Sequence, residues 1–181
     1  EYFYPLDLRN SAKDLVQNHL TYALFHHVAI WDNPKYWPKA YGVNGFVTVT
    51  GEKMAKSKGN IIPLKDLVEQ HGADLVRINI TTSNENMDDA NWKEDSLKTF
   101  SSRLTALEQL VKDCKKAERK SVNNLDKYME TVLQNCAKAA TENYELMKFR
   151  SCVQYIIFQL FNELNYYIER CGEIKNCNQN I

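Results

Sequence analysis

Residues 46–60 read Phe46-Val-Thr-Val-Thr-Gly-Glu-Lys-Met-Ala-Lys-Ser-Lys-Gly-Asn60, an apolar run followed directly by a loop with three lysines and a serine between two glycines. The alternation of the first five residues predicts a strand. The glycines permit backbone angles that other residues avoid, so the loop can turn tightly and move. Its charge is positive, because three lysines stand against one glutamate. The stretch therefore predicts a loop that binds polyphosphate, and a solvated surface turn is the alternative.

The residues before this stretch predict a strand, a helix and a second strand. Residues 2–8 predict a buried strand, and Ser11-Ala-Lys-Asp14 is a capping pattern that begins a helix ending near Ile30. Residues 40–50 return to extended, alternating character. A strand, a helix and a strand make up half of an α/β nucleotide-binding sheet, whose ligands bind beyond the carboxyl ends of the strands. Residues at helical spacing give the helix one predicted buried face: Val16, Leu20, Ala23, Leu24 and His27.

Two short helices and a domain boundary are predicted next. Pro63 suits the first turn of a helix and Gly72 its end, and a second helical stretch covers residues 73–81. Residues 81–91 are short, polar and rich in aspartate, so they mark the predicted boundary between two domains. Trp92 is expected to anchor the core at the head of the second domain.

The remainder of the chain has three long amphipathic patterns, which begin near Leu97, Leu125 and Phe149. Each apolar stripe repeats every three or four residues, so the helices are expected to pack on one another as a bundle. The predicted fold is an α/β Rossmann-type half-domain over residues 1–82, followed by an all-α helical bundle over residues 83–181. The protein is expected to be predominantly helical.

The composition excludes several classes of protein but does not identify the function. Lys plus Arg equals Asp plus Glu at 23 each, so any contact with RNA has to come from a local patch. Five cysteines without a C-x-x-C pair argue against a disulfide framework and a zinc site, so no metal site is predicted and a reducing, cytoplasmic compartment fits. No apolar run reaches membrane-spanning length, and no signal peptide is recognisable.

A local basic patch lies between residues 98 and 120. It predicts a surface that contacts RNA, and a solvated helix face is the alternative for most of its members. The basic residues of the patch are Lys98, Arg103, Lys112, Lys115, Lys116, Arg119 and Lys120.

The lysine loop resembles a known signature. Lys53-Met-Ala-Lys-Ser57, followed by Lys58-Gly-Asn60, is similar to the KMSKS signature of class I aminoacyl-tRNA synthetases, with Ala55 in place of the first serine. Within the class, residues 4–60 look most like leucyl-tRNA synthetases of archaeal and eukaryotic-cytosolic type. Three further segments resemble family motifs in the same order: Asp7–Leu20 the ribose-binding G-x-D segment, Val43–Phe46 the strand that lines the adenine pocket, and Gly72–Arg77 the helix after the signature.

The resemblance implies an enzyme that uses ATP, carried with Mg²⁺, to activate leucine and then transfers the leucyl group to tRNA(Leu). It assigns the catalytic cation to Lys56, with Lys53 and Ser57 in support; one charge-stabilising donor of this kind is worth roughly 2.7 to 4 kcal/mol. It also identifies residues 1–82 as the C-terminal half of the catalytic domain with its connecting helices. Residues 83–181 are then a bundle of the anticodon-binding type, which contacts tRNA.

The resemblance assigns ATP-binding roles to Asp14, Asn44, Gly45, Met54 and Lys58. The Asp14 carboxylate would accept hydrogen bonds from the ribose hydroxyls, and a helix-capping carboxylate is the alternative. Asn44 and Gly45 would offer main-chain groups to adenine, and a plain strand-end turn is the alternative.

Two further positions bear on the resemblance. His19 lies near positions that line the amino-acid pocket of leucyl enzymes, and a structural histidine is the alternative. Ala12 stands where the family usually has glycine. Nothing indicates that His19 acts as a general base, because the attacking carboxylate is already ionised at neutral pH.

The chain contains no His-x-Gly-His, the HIGH motif that the family uses to bind the ATP phosphates. The chain also begins without Met, inside an apolar run, so we expect a piece of a larger enzyme that cannot activate an amino acid alone. Two alternatives remain open. One is a sister enzyme specific for methionine, valine or isoleucine; the other is a catalytically dead, synthetase-derived module that binds RNA or protein.

Overall fold

The computed structural model describes residues 2–181, which form a predominantly helical protein with two small sheets. The chain divides into two compact units. The sheet unit comprises residues 2–61 with Ser83–Trp92, and the helical unit comprises Ile62–Thr82 with Lys93–Ile181. The functional division at residue 82 stays a prediction, because compactness alone does not report function.

The sheet unit contains the predicted order of strand, helix and strand. Strands β1 (Arg9–Ala12) and β2 (Tyr41–Asn44) pair in parallel, with Arg9 opposite Tyr41 and Ala12 opposite Asn44. Helix α1 (Thr21–Ile30) lies between them in sequence. The chain enters α1 through a 3-10 turn and a π-helical turn, which together occupy residues 13–20.

The first strand lies later in the chain than predicted. Residues 2–8 form no strand, and Tyr2 and Phe3 are 94% and 82% exposed. Ser11, predicted as a helix cap, instead lies within β1. The reason is strand pairing. The four residues of β2 form hydrogen bonds with residues 9–12, so the backbone there is extended, although the local capping signal favours the start of a helix.

The predicted buried face of the first helix is wrong for most of its residues. Leu20 is buried, whereas Val16 and Leu24 are 43% and 41% exposed. No residue of α1 itself is buried. The apolar stripe is present in the sequence, but a parallel pair of four-residue strands offers too little surface to cover a helix.

A second, three-stranded sheet has β3 (Val47–Val49) at its centre. β3 pairs in an antiparallel manner with β4 (Glu52–Lys53) and in parallel with β5 (Ala90–Trp92). Trp92 is buried as expected, at 5% exposure, but it lies in β5 and not in the bundle. The last two residues of the predicted boundary segment, Ala90 and Asn91, therefore belong to a strand, because they pair with β3.

The helical unit agrees well with the predicted helices. Pro63 immediately precedes α2 (Leu64–His71), and Gly72, with φ +80°, ends it. The three amphipathic patterns are confirmed as helices, and the third contains an internal π-helical segment, Gln154–Gln159. The remaining helices are α3 (Ala73–Ser83), α4 (Glu94–Cys114), α5 (Asn124–Glu145), α6 (Phe149–Val153) and α7 (Leu160–Cys171).

The helical unit contains an ion pair between the buried Asp126 carboxylate and the half-buried Arg119 guanidinium. Both Nη atoms of Arg119 donate to the Asp126 carboxylate, at 2.8 and 2.6 Å, and the Tyr167 hydroxyl donates to Asp126 Oδ1 at 2.6 Å. Met129, adjacent on α5, is fully buried. Arg119 was predicted as part of the RNA-contacting patch, and the structure assigns its guanidinium to this internal pair instead. A count of charges along the sequence does not reveal that Arg119 pairs with Asp126, which lies seven residues later in the first turn of α5.

Candidate functional site

A tight hairpin begins the lysine loop. Thr48 of β3 lies opposite Lys53 of β4, and the two connecting residues, Thr50 and Gly51, have φ of +53° and +81°. Turns with positive φ at both positions match the twist of the flanking strands. The Gly51 N–H donates to Asn91 Oδ1 at 2.9 Å. The hairpin therefore fixes the point at which Lys53 leaves the sheet.

The side chain of Asn60 closes the loop. Its Oδ1 accepts from the Ala55 N–H at 2.8 Å, and its Nδ2 donates to the Lys53 carbonyl at 3.3 Å. Between these contacts, Lys56–Lys58 form a 3-10 turn that ends at Gly59 in the left-handed conformation, with φ +67°. One amide side chain thus joins both ends of the segment. No role for Asn60 was predicted from the sequence, although asparagine side chains often form hydrogen bonds with nearby backbone groups.

The three lysines of the loop have different surroundings. The Lys53 ammonium lies 3.9 Å from the centroid of the Phe46 ring. Lys58 forms a salt bridge of 2.9 Å with Glu52. Lys56 is exposed, and no hydrogen bond, salt bridge or ring contact joins its side chain to another residue within 2–181. Of the three, Lys56 therefore presents the ammonium group that is most available to a ligand.

Ser57 and Met54 complete the predicted set in the loop. Ser57 lies in the exposed 3-10 turn beside Lys56, and Met54 is half-buried before it. The structure therefore brings five of the predicted site residues together in one short loop. They are Lys53, Met54, Lys56, Ser57 and Lys58.

Three other predicted residues lie at or just beyond the carboxyl ends of the parallel strand pair. Asn44 is the last residue of β2 and Gly45 follows it, while Asp14 lies two residues beyond the end of β1. Asn44 Oδ1 accepts from Asn10 Nδ2 at 3.2 Å. Asp14 is exposed, and the turn that contains it has no side-chain cap. Asp14, Asn44 and Gly45 therefore lie at the carboxyl ends of parallel strands, where nucleotides bind in α/β sheets.

Gly45 has no room for a side chain. A Cβ built on it would lie 2.0 Å from the Asp88 carbonyl oxygen and 2.8 Å from Asp89 Oδ1. Real Cβ atoms do not approach backbone so closely, so the segment before β5 packs directly on the Gly45 main chain. A glycine is required here for close approach and not for an unusual φ.

Gly45→Ala is expected to separate β3 from β5 and to destabilise the sheet unit by about 1 to 3 kcal/mol, as overpacking does. Hydrogen exchange is the measurement, because the Ala90 N–H donates to the Phe46 carbonyl at 2.8 Å and its protection reports this contact. Protection at Ala90 should fall, while the Met129 amide in the bundle serves as the internal control. Unchanged protection at Ala90 would show that the close approach at Gly45 is not maintained in solution.

Two residues without an assigned role organise the same edge. Lys13 Nζ forms a salt bridge of 2.7 Å with Asp89 and donates to the Met87 carbonyl at 3.3 Å. Asp89 Oδ1 also accepts from the Phe46 N–H at 2.8 Å. The hydrogen bond from Lys13, and then that from Phe46, lowers the pKa of the Asp89 carboxyl below its usual value. The sequence placed Asp89 only in the boundary segment. Its pairing with Lys13 could not be foreseen, because the two residues are 76 positions apart.

His19 lies in the π-helical turn before α1, where it is exposed. Its Nε2 lies 2.7 Å from Arg9 Nη2, so the ring accepts a hydrogen bond from the guanidinium. No contact joins His19 to Asp14, Asn44 or the lysine loop among residues 2–181. No group of three or more His, Cys, Asp or Glu within residues 2–181 is arranged to hold a metal ion. None of the helices described is both long and apolar enough to cross a bilayer.

The sequence matches a model of a known protein family over more than half of the chain. Residues 11–117 match the family described as tRNA synthetases class I (M). This range includes the strand edge, the lysine loop and the first helices of the bundle.

Curated relatives match almost the whole chain. A leucine–tRNA ligase of Methanococcoides burtonii is 38% identical over 98% of this chain and 19% of its own length. Leucine–tRNA ligases of Archaeoglobus fulgidus and Pyrococcus furiosus are 40% and 38% identical over 96% and 94% of this chain, and 18% of their own lengths. The chain therefore spans less than a fifth of the length of these relatives.

A solved structure shares the fold. It is the ternary complex of the Agrobacterium radiobacter K84 agnB2 LeuRS with tRNA and LeuAMS, which superposes with a TM-score of 0.80. The match covers 95% of this chain and 23% of that protein, at 20% sequence identity. At 20% identity, this similarity shows a shared fold and no more.

Proposed function

We propose that this chain, which belongs to the class I tRNA synthetases, works in an ATP-dependent leucine–tRNA ligase. The enzyme would activate leucine to leucyl-adenylate and transfer the leucyl group to tRNA(Leu). The leucine–tRNA ligases that match 94 to 98% of the chain support this specificity. Because the chain spans less than a fifth of their length, the activity belongs to the full-length protein in which the chain occurs.

Residues 1–82 would supply the C-terminal half of a Rossmann-type catalytic domain. The parallel β1–β2 pair with α1 between its strands supports this assignment, since such units bind nucleotides at their carboxyl edge. Residues 83–181 would form the tRNA-contacting bundle. Within the basic patch, the half-buried Arg119 guanidinium is already paired with Asp126, whereas Lys98, Lys112, Lys115 and Lys120 are exposed and would make the contacts with tRNA.

The free ammonium of Lys56, in a loop closed by Asn60, is the single observation that carries the proposal. In amino-acid activation the leucine carboxylate attacks the α-phosphate of ATP, and magnesium pyrophosphate leaves. Negative charge accumulates on the phosphates in the transition state, so a cation positioned there lowers the barrier. Lys56 would supply that cation as the catalytic residue, with Lys53 and Ser57 in support.

The strand edge would bind the rest of the nucleotide. The exposed Asp14 carboxylate would accept hydrogen bonds from the ribose hydroxyls, and the main chain at Asn44 and Gly45 would contact adenine. Met54 and Lys58 would complete the ATP site. His19 would line the amino-acid pocket.

The specificity is tested by ATP–pyrophosphate exchange with the full-length protein and each of leucine, methionine, isoleucine and valine. Methionine is included because the matching family carries the designation (M). Exchange is expected to be strongest with leucine. Stronger exchange with another amino acid would reassign the enzyme to a sister specificity, and no exchange with any of them would favour a binding module without catalysis.

The 181-residue chain alone is expected to catalyse no steady amino-acid-dependent exchange, because it has no His-x-Gly-His to bind the phosphates opposite the lysine loop. The measurement is exchange by the purified chain, with cooperative thermal unfolding as the control that it is folded. Sustained leucine-dependent exchange by the folded chain would contradict this expectation.

A further inference from the structure

Phe46 links the strand edge to the lysine loop, and its backbone is held on both sides. Its N–H donates to Asp89 Oδ1 at 2.8 Å, and its carbonyl accepts from the Ala90 N–H at 2.8 Å. Gly45, directly before it, packs against the Asp88 backbone. The half-buried Phe46 ring is therefore a fixed surface at the start of β3.

The Lys53 ammonium lies over this ring, 3.9 Å from its centroid, which is well within the range of cation–π attraction. The Lys53 backbone pairs with Thr48 in the hairpin, so the side chain can move while its Cα stays in place. No salt bridge reaches Lys53 from another residue within 2–181. The ring thus holds the ammonium without neutralising its charge.

A second ammonium, that of Lys13, lies 5.2 Å from the centroid of the same ring. Lys13 differs from Lys53 because it is paired with Asp89 at 2.7 Å. Its charge is compensated and its position is fixed by the carboxylate that also holds Phe46. Of the two cations beside the ring, Lys53 is the one free to leave it.

We propose that Phe46 is a positioning residue that holds Lys53 in the absence of nucleotide and releases it to the triphosphate of ATP when the loop closes. This inference rests on the proposed function of the loop. The solvent-exposed Lys53 ammonium is held only weakly by the ring, whereas its hydrogen bonds to phosphate oxygens would be charge-assisted. The ring and ATP therefore compete for the Lys53 ammonium. A ring with less electron density holds the ammonium less strongly, so the apparent affinity for ATP should rise.

The test replaces Phe46 in the full-length protein with 4-fluoro-, 3,5-difluoro- and 3,4,5-trifluorophenylalanine. Fluorine withdraws electron density from the ring face and weakens cation binding while the shape of the ring is nearly kept. The dissociation constant of MgATP is expected to fall stepwise, by about two- to fivefold across the series. The same series at Phe25, a 67% exposed ring on α1, is the matched control and should leave the constant unchanged.

A second readout follows the contact itself. Without ATP, the ε-methylene protons of Lys53 should show an upfield ring-current shift that Phe46→Leu abolishes, and ATP should reduce this shift in the parent protein. Lys53→Met should weaken ATP binding and remove the response to ring fluorination.

The outcomes separate the two levels of the proposal. A dissociation constant that stays constant or rises along the Phe46 series, while Lys53→Met still weakens ATP binding, overturns the role of Phe46 and leaves the role of the loop intact. If Lys53→Met changes neither ATP binding nor exchange, the roles of Lys53 and Phe46 both fail, whereas the role of the loop itself is decided separately by Lys56→Ala.

Discussion

Replacement of Lys56 by alanine is expected to lower kcat for leucine-dependent ATP–pyrophosphate exchange by about 10²- to 10³-fold, the usual loss for one donor aimed at transition-state charge. The reason is that Lys56 has the least restrained ammonium group of the loop. The Lys53 ammonium contacts the Phe46 ring, and Lys58 forms a salt bridge with Glu52. A cation that approaches the phosphates as charge accumulates affects kcat more than the KM for ATP. The measurement is steady-state exchange with the full-length protein.

Matched variants isolate this effect. Lys58→Ala removes a cation that is already paired with Glu52, so its effect on kcat should be much smaller. Lys56→Arg keeps the charge but changes its shape and reach, so only partial activity is expected. Because the Lys56 side chain is exposed and contacts no described residue, the thermal midpoint should not change in any of its variants. Equal rates for Lys56→Ala and the parent protein would exclude a catalytic role for Lys56.

Local sequence signals predicted the helices well, since their causes are local. The ends of α2 follow from Pro63 and Gly72, and each bundle helix follows from a stripe at helical spacing. The position of β1 was predicted wrongly because a strand depends on its partner strand, and the partner of Arg9–Ala12 is more than thirty residues away in the sequence. The apolar stripe of the first helix, which is only partly buried, shows the same limit, because periodicity indicates a face suited to burial but not what covers it.

The site was predictable to the extent that it lies in one contiguous motif. The loop lysines and Ser57 follow directly from the order of residues in the signature. Lys13 and Asp89 were given no role because their contact joins distant segments, and a lysine and an aspartate far apart in sequence carry no mark of pairing. Arg119 shows the opposite limit: its place in a basic run predicted a contact with RNA, but its half-buried guanidinium pairs with the buried Asp126 carboxylate.

Asp126→Asn is expected to destabilise the helical unit by about 3 kcal/mol, because it removes the charge of a buried carboxylate that is paired with a guanidinium. The side chain of Asp126 is 2% exposed, and it accepts hydrogen bonds from Arg119, Tyr167 and the Asn123 N–H. The amide would keep the shape but lose the charge, and its NH₂ would face a guanidinium donor. Urea unfolding of the chain at pH 7 measures the change. Asp113→Asn, at a surface pair with Lys116, is the control and should have a much smaller effect.

The pH dependence of this difference identifies the charge as its cause. The hydrogen bonds from Arg119, and also those from Tyr167 and Asn123, hold the pKa of the Asp126 carboxyl well below its usual value, despite the opposing effect of burial. A carboxyl with a lowered folded-state pKa contributes its full stability above the pKa of the unfolded chain, about 3.9, and loses it as the pH falls further. The gap between the parent chain and Asp126→Asn should therefore be constant from pH 7 to about 5 and narrow below about pH 4, by up to about 1.4 kcal/mol per pH unit. A gap of the same size at pH 7 and pH 3 would mean that shape and packing at Asp126, and not its ionised carboxylate, hold α5 to the segment that carries Arg119.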